Sequence, residues 1–107
     1  MELVQYAIIL VNLDLTLGSE IQKTRPCIIV SPNEMNQYLK TIVICPMTTG
    51  TKNYPTRVAV NHDGKKGMII IDQIRTIEKS RIIKVFGKLS KTEIKLCKEV
   101  IKETFVD

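Results

Sequence analysis

Residues 23–32 of the chain, KTRPCIIVSP, join a basic segment to an apolar run. The run of Cys, Ile, Ile and Val is rich in β-branched residues and predicts a buried strand at 26–31. Charged residues are rarely buried without a partner, so Arg25 has two interpretations. Either Lys23 and Arg25 lie in an exposed loop before the strand, or the rigid strand holds the Arg25 guanidinium where an anionic group will bind.

Apolar segments on both sides of this stretch predict the rest of a small sheet. Strands are predicted at 6–15, 41–47, 56–62, 68–72 and 81–89, with a loop ending at Gly18, a polar loop at 48–55 and an Asp-Gly hairpin turn at 63–67. Pro46 indicates that the strand at 41–47 ends at a sheet edge or an irregularity. Residues 32–39 have room for only one or two helical turns.

The C-terminal segment predicts an amphipathic helix. Ser90 and Glu93 form the capping-box pattern that opens a helix. Apolar residues then recur at helical spacing, with lysines on the other face: Ile94, Cys97, Ile101 and Phe105. Short strands closed by one amphipathic helix indicate a small curled sheet or barrel of the α+β class, in a single domain over residues 1–107.

The formal net charge of +5 is unevenly distributed. Residues 1–50 carry three basic and four acidic side chains, a net of −1, whereas residues 51–107 carry thirteen and seven, a net of +6. This favours a nucleic acid or another anionic partner only weakly, because dispersed lysines commonly form a solvated face. No apolar run reaches the roughly 18 residues of a membrane span, and the N-terminus lacks a basic secretory start, so a cytoplasmic protein is expected.

The reactive side chains exclude several kinds of site. His62 is the only histidine, which rules out a catalytic histidine pair and leaves no zinc-binding spacing. Cys27, Cys45 and Cys97 are predicted to be buried thiols of a reducing compartment. The carboxylates stand on separate segments, so no metal site is expected. There remain Glu20, Arg25 and the pair Thr48-Thr49, each beside an apolar strand that can direct it.

Four ordered motifs extend along the chain: NLDLTLGSEIQKTRPCIIVSPNEMNQ (12–37), VICPMTTGTKNYPTRV (43–58), GMIIIDQIRTIEKSRI (67–82) and GKLS (87–90). Together they resemble the motifs of the MazF/PemK toxin endoribonucleases, from about Val11 to Phe105. The chain departs from that pattern in having Tyr6-Ala7 where Gly-Asp is common and Leu15 in place of a proline, and it lacks the tryptophan of the first strand. These positions lie outside the residues assigned to chemistry.

The resemblance implies an SH3-like β-barrel with a C-terminal helix, built as a homodimer. It also implies a type II toxin that cleaves single-stranded RNA without a metal or cofactor and leaves 2′,3′-cyclic phosphate and 5′-hydroxyl ends. Arg25 and Thr48 match the family's two catalytic positions, and Glu20 matches a nearby acidic position. A disordered, acidic antitoxin segment is expected to cover the RNA-binding groove, because a groove that binds phosphates also attracts carboxylates.

These side chains suit the chemistry of RNA cleavage. Attack by the ribose 2′-hydroxyl places negative charge on the phosphate oxygens, which a planar guanidinium binds through two parallel hydrogen bonds. The Thr48 hydroxyl can donate another. Glu20 is the more ordinary candidate for accepting the 2′ proton, because arginine is a poor base.

The matched loops supply residues expected to bind RNA: Asn36, Thr49, Lys52, Tyr54, Gln73, Arg75 and Arg81. Tyr54 is predicted to stack on a base and Gln73 to bind a base edge. Each of the following residues also has a purely structural interpretation. Tyr54 and Pro55 can fix a turn, Asp72 can cap the segment after its strand, and Lys79 can be merely solvated.

Two other functions fit a barrel of this kind. One is a non-enzymatic toxin that poisons a protein target, as the CcdB-type gyrase inhibitors do. The other is a degenerate barrel that binds RNA without cutting it. The intact set of Glu20, Arg25 and Thr48 favours the enzyme, because a gyrase poison has no need for it.

Overall fold

The computed structural model describes residues 2–13, 24–50 and 52–107. Within these residues, seven strands form one curled antiparallel sheet. The strands are β1 (Ala7–Asn12), β2 (Thr24–Ile29), β3 (Thr41–Thr48), β4 (Arg57–His62), β5 (Lys65–Ile70), β6 (Arg75–Glu78) and β7 (Ile82–Lys88). The helices are α1 (Asn33–Tyr38) and α2 (Lys91–Ile101). This curled sheet with its C-terminal helix confirms the predicted α+β class. None of these helices is both long and apolar enough to cross a membrane.

Strand β3 joins the two parts of the sheet. Residues 41–44 pair with β6, residues 44–46 pair with β2, and residues 47–48 pair with β5. Proline has no N–H to donate to a ladder, and Pro46 lies between the part of β3 that pairs with β6 and the part that pairs with β5. The irregularity predicted from Pro46 is therefore confirmed. Across the sheet the order is β4-β5-β3-β2-β1-β7.

Strand β2 begins earlier than the sequence predicted, at Thr24 instead of Pro26. Arg25 is thus inside the strand and opposite Val11 of β1. The interpretation that places Arg25 in a loop before the strand is wrong. The last two residues of the strand predicted at 6–15, and the loop that ends at Gly18, lie outside the described residues.

Both faces of β2 are covered, which explains its continuous apolar run. Ile28 belongs to an apolar cluster that includes Cys97 of α2, whereas Cys27 and Ile29 belong to a second cluster. Successive residues of a strand point to opposite faces, so the alternation places one cluster on each side of the sheet. Burying one such aliphatic side chain contributes about 1.5–3 kcal/mol, so the inner part of β2 is firmly held.

The β4–β5 hairpin has a tighter turn than the one predicted at 63–67. Asp63 and Gly64 are its two central residues, with φ of 52° and 74°, as a two-residue type I′ turn requires. Pairing resumes at once with His62 opposite Lys65. Residues 65–67 therefore belong to β5, and the predicted start of that strand at 68 is wrong.

The strand predicted at 68–72 also ends early. After Ile70 the chain makes a short helical turn, Ile71–Gln73, and returns as β6, which the sequence did not predict. Asp72 does not cap this turn. Its carboxylate instead accepts a hydrogen bond of 2.9 Å from the Thr56 hydroxyl, which ties the turn to the start of β4.

Helix α2 has the predicted capping box. The Ser90 hydroxyl accepts from the N–H of Glu93, and the Glu93 carboxylate accepts from the N–H of Ser90. The same carboxylate accepts a hydrogen bond of 2.9 Å from the N–H of Asn61, which attaches the helix to β4. Beyond α2 the chain widens into a π-helical turn, Lys102–Val106, which changes the helical phase and leaves Phe105 51% exposed rather than on the buried face.

We expect Ser90→Ala to lower the free energy of unfolding by about 0.5–2 kcal/mol, because the helix loses its cap. Ser80→Ala is the control: the Ser80 hydroxyl makes an exposed contact with Glu78, and we expect its removal to change stability by less than about 0.5 kcal/mol. Urea unfolding measures both. Equal stability of the Ser90→Ala variant and the wild type would contradict the capping role.

The pH dependence of stability should report on Glu93. Burial raises the pKa of this carboxyl, but hydrogen bonds from the Ser90 and Asn61 N–H groups and from the Ser90 hydroxyl outweigh it, so the pKa lies below its ordinary value of 4.5. The contribution of Glu93 to the free energy of unfolding is therefore complete above pH 4.5, and it is lost as the pH falls through the lowered pKa. Glu93→Gln should lack this contribution, and its stability deficit should shrink in acid.

Candidate active site

Arg25 and Thr48 line one cavity of about 260 Å³. It lies where the start of β2 and the end of β3 meet the turn end of the β4–β5 hairpin. Its other lining residues are Thr24, Pro26, Met47, Thr49, His62, Lys65, Lys66 and Gly67. The structure thus brings together the two side chains that the motifs marked as catalytic, together with Thr49. Glu20 and Lys23 lie outside the described residues.

The register of β2 and β3 explains why Arg25 and Thr48 meet. The last pair between these strands is Cys27 opposite Pro46. Counting two residues outward on each antiparallel strand places Arg25 opposite Thr48 and on the same face of the sheet. At that point β3 pairs with β5 on its other edge. The two residues therefore lie beyond the end of the β2–β3 ladder, and both line the cavity there.

Arg25 combines a fixed backbone with an exposed side chain. Its main chain pairs with Val11, and its carbonyl oxygen lies 3.5 Å from the Cys27 thiol, which donates to it. In the described part of the chain, no carboxylate lies within ion-pair distance of Arg25. The Arg25 side chain is exposed where it lines the cavity, so an anion that enters the cavity can contact it.

Thr48 is half-buried, and its hydroxyl is oriented by the backbone that follows it. The N–H of Gly50 donates to Oγ1 of Thr48 at 3.2 Å. A hydroxyl that accepts such a bond still has its own hydrogen to donate. The Thr48 hydroxyl can therefore act as a hydrogen-bond donor to a group bound in the cavity.

The hairpin adds basic residues that sequence reasoning did not assign to the site. Lys65 and Lys66 are exposed at the cavity, and His62 lies beside them with Nε2 3.6 Å from an Asp63 carboxylate oxygen. The sequence contains one usable signal: the Asp-Gly turn fixes the hairpin register and places this basic pair next to His62. The sequence does not show that the hairpin lies against the end of β3.

The remaining residues predicted to bind RNA lie outside the cavity. Lys52 and Tyr54 are exposed on the connection between β3 and β4, and Gln73 and Arg75 are exposed at the start of β6. Arg81 is half-buried just before β7, and its Nη1 has no hydrogen-bond partner among the described residues.

Tyr54 has both a structural and an accessible part. Its carbonyl oxygen accepts from the N–H of Arg57, so Pro55 occupies the second position of a tight turn, which proline favours. Its ring is 47% exposed, and the Arg57 guanidinium lies 4.8 Å from the ring centre. The interpretation that Tyr54 and Pro55 fix a turn is thus supported. The exposed part of the Tyr54 ring can still stack on a base.

Asn36 is not placed to bind RNA. It is only 3% exposed, its amide donates to the carbonyl oxygen of Ser31 at 3.0 Å, and its amide oxygen accepts from the Ser31 hydroxyl. That hydroxyl in turn accepts from the N–H of Val43. Asn36 therefore fastens α1 to β3, and an RNA contact would require breaking these buried bonds.

The cysteines are not nucleophiles of this site. Burial raises the pKa of Cys27 to about 12, despite the opposing positive charges of Arg25 and Arg75, and burial likewise raises the pKa of Cys45 and of Cys97 to about 12. Over the ranges 2–13, 24–50 and 52–107, no three His, Cys, Asp or Glu side chains gather as a metal-binding group.

Comparison with known proteins identifies the family. Residues 4–105 match the family described as PemK-like, MazF-like toxin of type II toxin-antitoxin system. The chain belongs to this family. The Escherichia coli K12 endoribonuclease toxin MazF is 30% identical over 95 residues, which cover 88% of this chain and 86% of that protein. The Escherichia coli endoribonuclease PemK is 41% identical over 74 residues, covering 64% of this chain and 56% of that protein.

Solved structures agree on the fold. The MazE–MazF crystal structure from Deinococcus radiodurans (Form-II) superposes with a TM-score of 0.84 at 21% identity, covering 96% of this chain and 95% of that chain. The family match and the MazF and PemK relatives, rather than the fold, identify the chain as a toxin of the MazF/PemK endoribonuclease family, from a toxin–antitoxin system. This favours the enzyme over the alternative of a gyrase poison.

We expect the three cysteines of the native protein to resist a thiol reagent such as DTNB at pH 8. With a pKa near 12, each thiol is ionised in roughly one molecule in 10⁴ at that pH, and all three are buried. In denaturant all three should react within minutes. Fast labelling of one thiol in the folded protein would contradict the burial described here.

Proposed function

We propose that this toxin cleaves single-stranded messenger RNA at the cavity lined by Arg25 and Thr48. The observation that carries the proposal is the opposition of these two side chains beyond the last β2–β3 pair, beside Lys65 and Lys66. The residues that line the cavity include a guanidinium, a hydroxyl donor and two lysines, which suit a phosphodiester better than a neutral ligand.

The proposed reaction is a transesterification. The ribose 2′-oxygen attacks the adjacent phosphorus and loses its proton, the new 2′-oxygen–phosphorus bond closes a 2′,3′-cyclic phosphate, and the bond to the 5′-oxygen breaks as that oxygen gains a proton. The step involves no oxidation or reduction. Negative charge grows on the two non-bridging oxygens during the step, so groups that bind them more tightly then than before accelerate it.

Arg25 and Thr48 have the charge and geometry for that task. The guanidinium presents two parallel N–H donors, which fit two phosphate oxygens. The hydroxyl of Thr48, oriented by the Gly50 N–H, supplies a further donor of the oxyanion-hole type. We propose that these groups provide the stabilisation that a metal ion gives in other nucleases, and that Glu20 accepts the 2′ proton.

We propose that RNA on either side of the cleaved bond is bound by basic residues of the cavity and by exposed residues outside it. Lys52, Lys65 and Lys66 are exposed and can bind neighbouring phosphates. Tyr54 offers an exposed ring for stacking, and Gln73 offers an amide for a base edge. Base contacts of this kind would make cleavage sequence-specific.

The direct test is to incubate the purified protein with a long single-stranded RNA in EDTA. We expect fragments whose 5′ ends accept a phosphate from polynucleotide kinase without prior dephosphorylation, and whose 3′ ends resist phosphatase until the cyclic phosphate is opened with acid. RNA that stays intact in EDTA and is cut when Mg²⁺ is added would overturn the metal-free reaction.

Substitutions at the two residues separate charge from shape. Arg25→Lys should lose nearly as much single-turnover rate as Arg25→Ala, because the planar fork is lost. Thr48→Ser should keep much of the rate, whereas Thr48→Val should lose it by about 10²–10³-fold. RNA affinity, measured by fluorescence anisotropy, should fall much less than the rate, since these contacts strengthen mainly in the transition state.

Two matched substitutions control for damage to the fold. Thr41→Val makes the same change at the other end of β3, and Arg57→Lys makes the same change at a guanidinium that stacks on Tyr54 outside the cavity. Both should cleave RNA at close to the wild-type rate. An Arg25→Lys variant as active as Arg57→Lys would show that Arg25 only positions a phosphate.

We further propose that the toxin is a homodimer whose RNA groove is covered by an acidic, disordered segment of its antitoxin. Two structures in the comparison support an antitoxin partner by analogy: a mycobacterial endoribonuclease with its cognate antitoxin, and the MazE–MazF complex. The basic side chains at the cavity would attract carboxylates as they attract phosphates. Light scattering should give twice the chain mass.

The antitoxin should inhibit cleavage in competition with RNA. We expect its inhibition constant to rise with RNA concentration and to weaken as salt is raised, because both ligands would use Lys65, Lys66 and Arg25. An antitoxin that binds tightly while RNA cleavage continues unchanged would contradict a shared site.

A further inference from the structure

Gly67 lies in the cavity wall where β5 meets the end of β3. A methyl group at this position would lie 2.7 Å from the carbonyl oxygen of Thr48 and 3.7 Å from its carbonyl carbon. A separation below 3.0 Å is one that real Cβ atoms essentially never show. Because the obstructing atom belongs to the backbone, no change of side-chain rotamer can relieve the contact.

Space, and not backbone conformation, requires a glycine here. Gly64 in the hairpin turn has a φ of 74°, which favours glycine by itself. Gly67 does not have a φ in that left-handed region. Its lack of a side chain is therefore needed only for the close approach of β5 to the Thr48 peptide.

The junction between β3 and β5 is short, and one of its pairs includes Thr48. In the described residues it consists of two pairs, Met47 with Ile69 and Thr48 with Met68. A shift of β5 at Gly67 would act directly on the second of these pairs. Thr48 would move with it, and its hydroxyl would leave the position in which the Gly50 N–H now holds it.

We propose that Gly67 is a positioning residue for RNA cleavage, which acts by letting β5 hold the Thr48 hydroxyl at the cavity. This inference rests on the proposed role of Thr48. Gly67 itself contributes no group to the reaction. It determines where the donor of its neighbouring strand is placed, and small displacements of such donors are costly.

The first test compares two glycine substitutions in strands. Gly67→Ala should lower the single-turnover cleavage rate by about 10–100-fold while RNA affinity stays nearly unchanged. Gly87→Ala in β7 is the matched control, because a methyl group there would meet no heavy atom within 4 Å. It should cleave at close to the wild-type rate. Both variants should show cooperative thermal melts.

A double-mutant cycle separates positioning from general damage. If Gly67 acts through the Thr48 hydroxyl, then adding Gly67→Ala to Thr48→Ala should cause almost no further loss of rate, because the group to be positioned is already absent. General damage would lower the rate by the same factor in both backgrounds. That additive result would overturn the proposal, as would a Gly67→Ala variant that cleaves like the wild type.

A readout that does not depend on activity is the NMR chemical shift of the Gly50 amide, which donates to the Thr48 hydroxyl. In Gly67→Ala it should move towards its value in Thr48→Val, where the acceptor is missing, and in Gly87→Ala it should stay at the wild-type value. An unmoved shift in Gly67→Ala would refute the positioning role.

The two proposals fail differently. If Thr48→Ala cleaves at the wild-type rate, the proposed function of Thr48 is wrong, while the Gly50 shift still reports whether Gly67 places the hydroxyl. If Gly67→Ala loses its melting transition, Gly67 serves the whole barrel rather than the threonine, and the positioning role is overturned.

Discussion

The end of the β2–β3 ladder at Pro46 is the constraint on which the site depends. Strand β3 lies between β5 and β2; residues 44–46 pair with β2 on one edge, and residues 47–48 pair with β5 on the other edge. If β3 had continued along β2, a ladder would occupy the space between Arg25 and Thr48. Because the ladder ends at Pro46, Arg25 and Thr48 keep its register without its hydrogen bonds, and both line the cavity there. The curl of the sheet brings the basic end of the β4–β5 hairpin to the same cavity.

The positive charge at the cavity favours the binding of an anion. Arg25, Lys65 and Lys66 line the same cavity, so three positively charged side chains lie around it. Like charges held near each other repel, and rigid strands keep them from moving apart. A bound phosphate or carboxylate relieves that repulsion. The same electrostatics that favours RNA would therefore favour an acidic inhibitor, which links the activity of the toxin to its proposed control.

Much of this could be predicted from the sequence, where the signal is local. Apolar runs predicted most strands, the Ser90–Glu93 pattern predicted the start of α2, and the family motifs indicated Arg25 and Thr48. Strand β6 was missed because only Ile77 of its four residues is buried, too weak a pattern to recognise. The roles of Asn36 and Gly67 were missed for another reason: each depends on a contact between strands or helices far apart in sequence, which no local pattern encodes.

The central claim is that Arg25 binds the transition state more tightly than the bound substrate. A nucleoside–vanadate complex mimics the five-coordinate phosphorus, and an RNA with a 2′-deoxy residue at the cleavage site mimics the substrate. Their dissociation constants should be measured for the wild type and for Arg25→Lys. The account predicts that Arg25→Lys weakens vanadate-complex binding by about 10²-fold or more while the deoxy substrate binds almost as before. An equal loss for both ligands would contradict it.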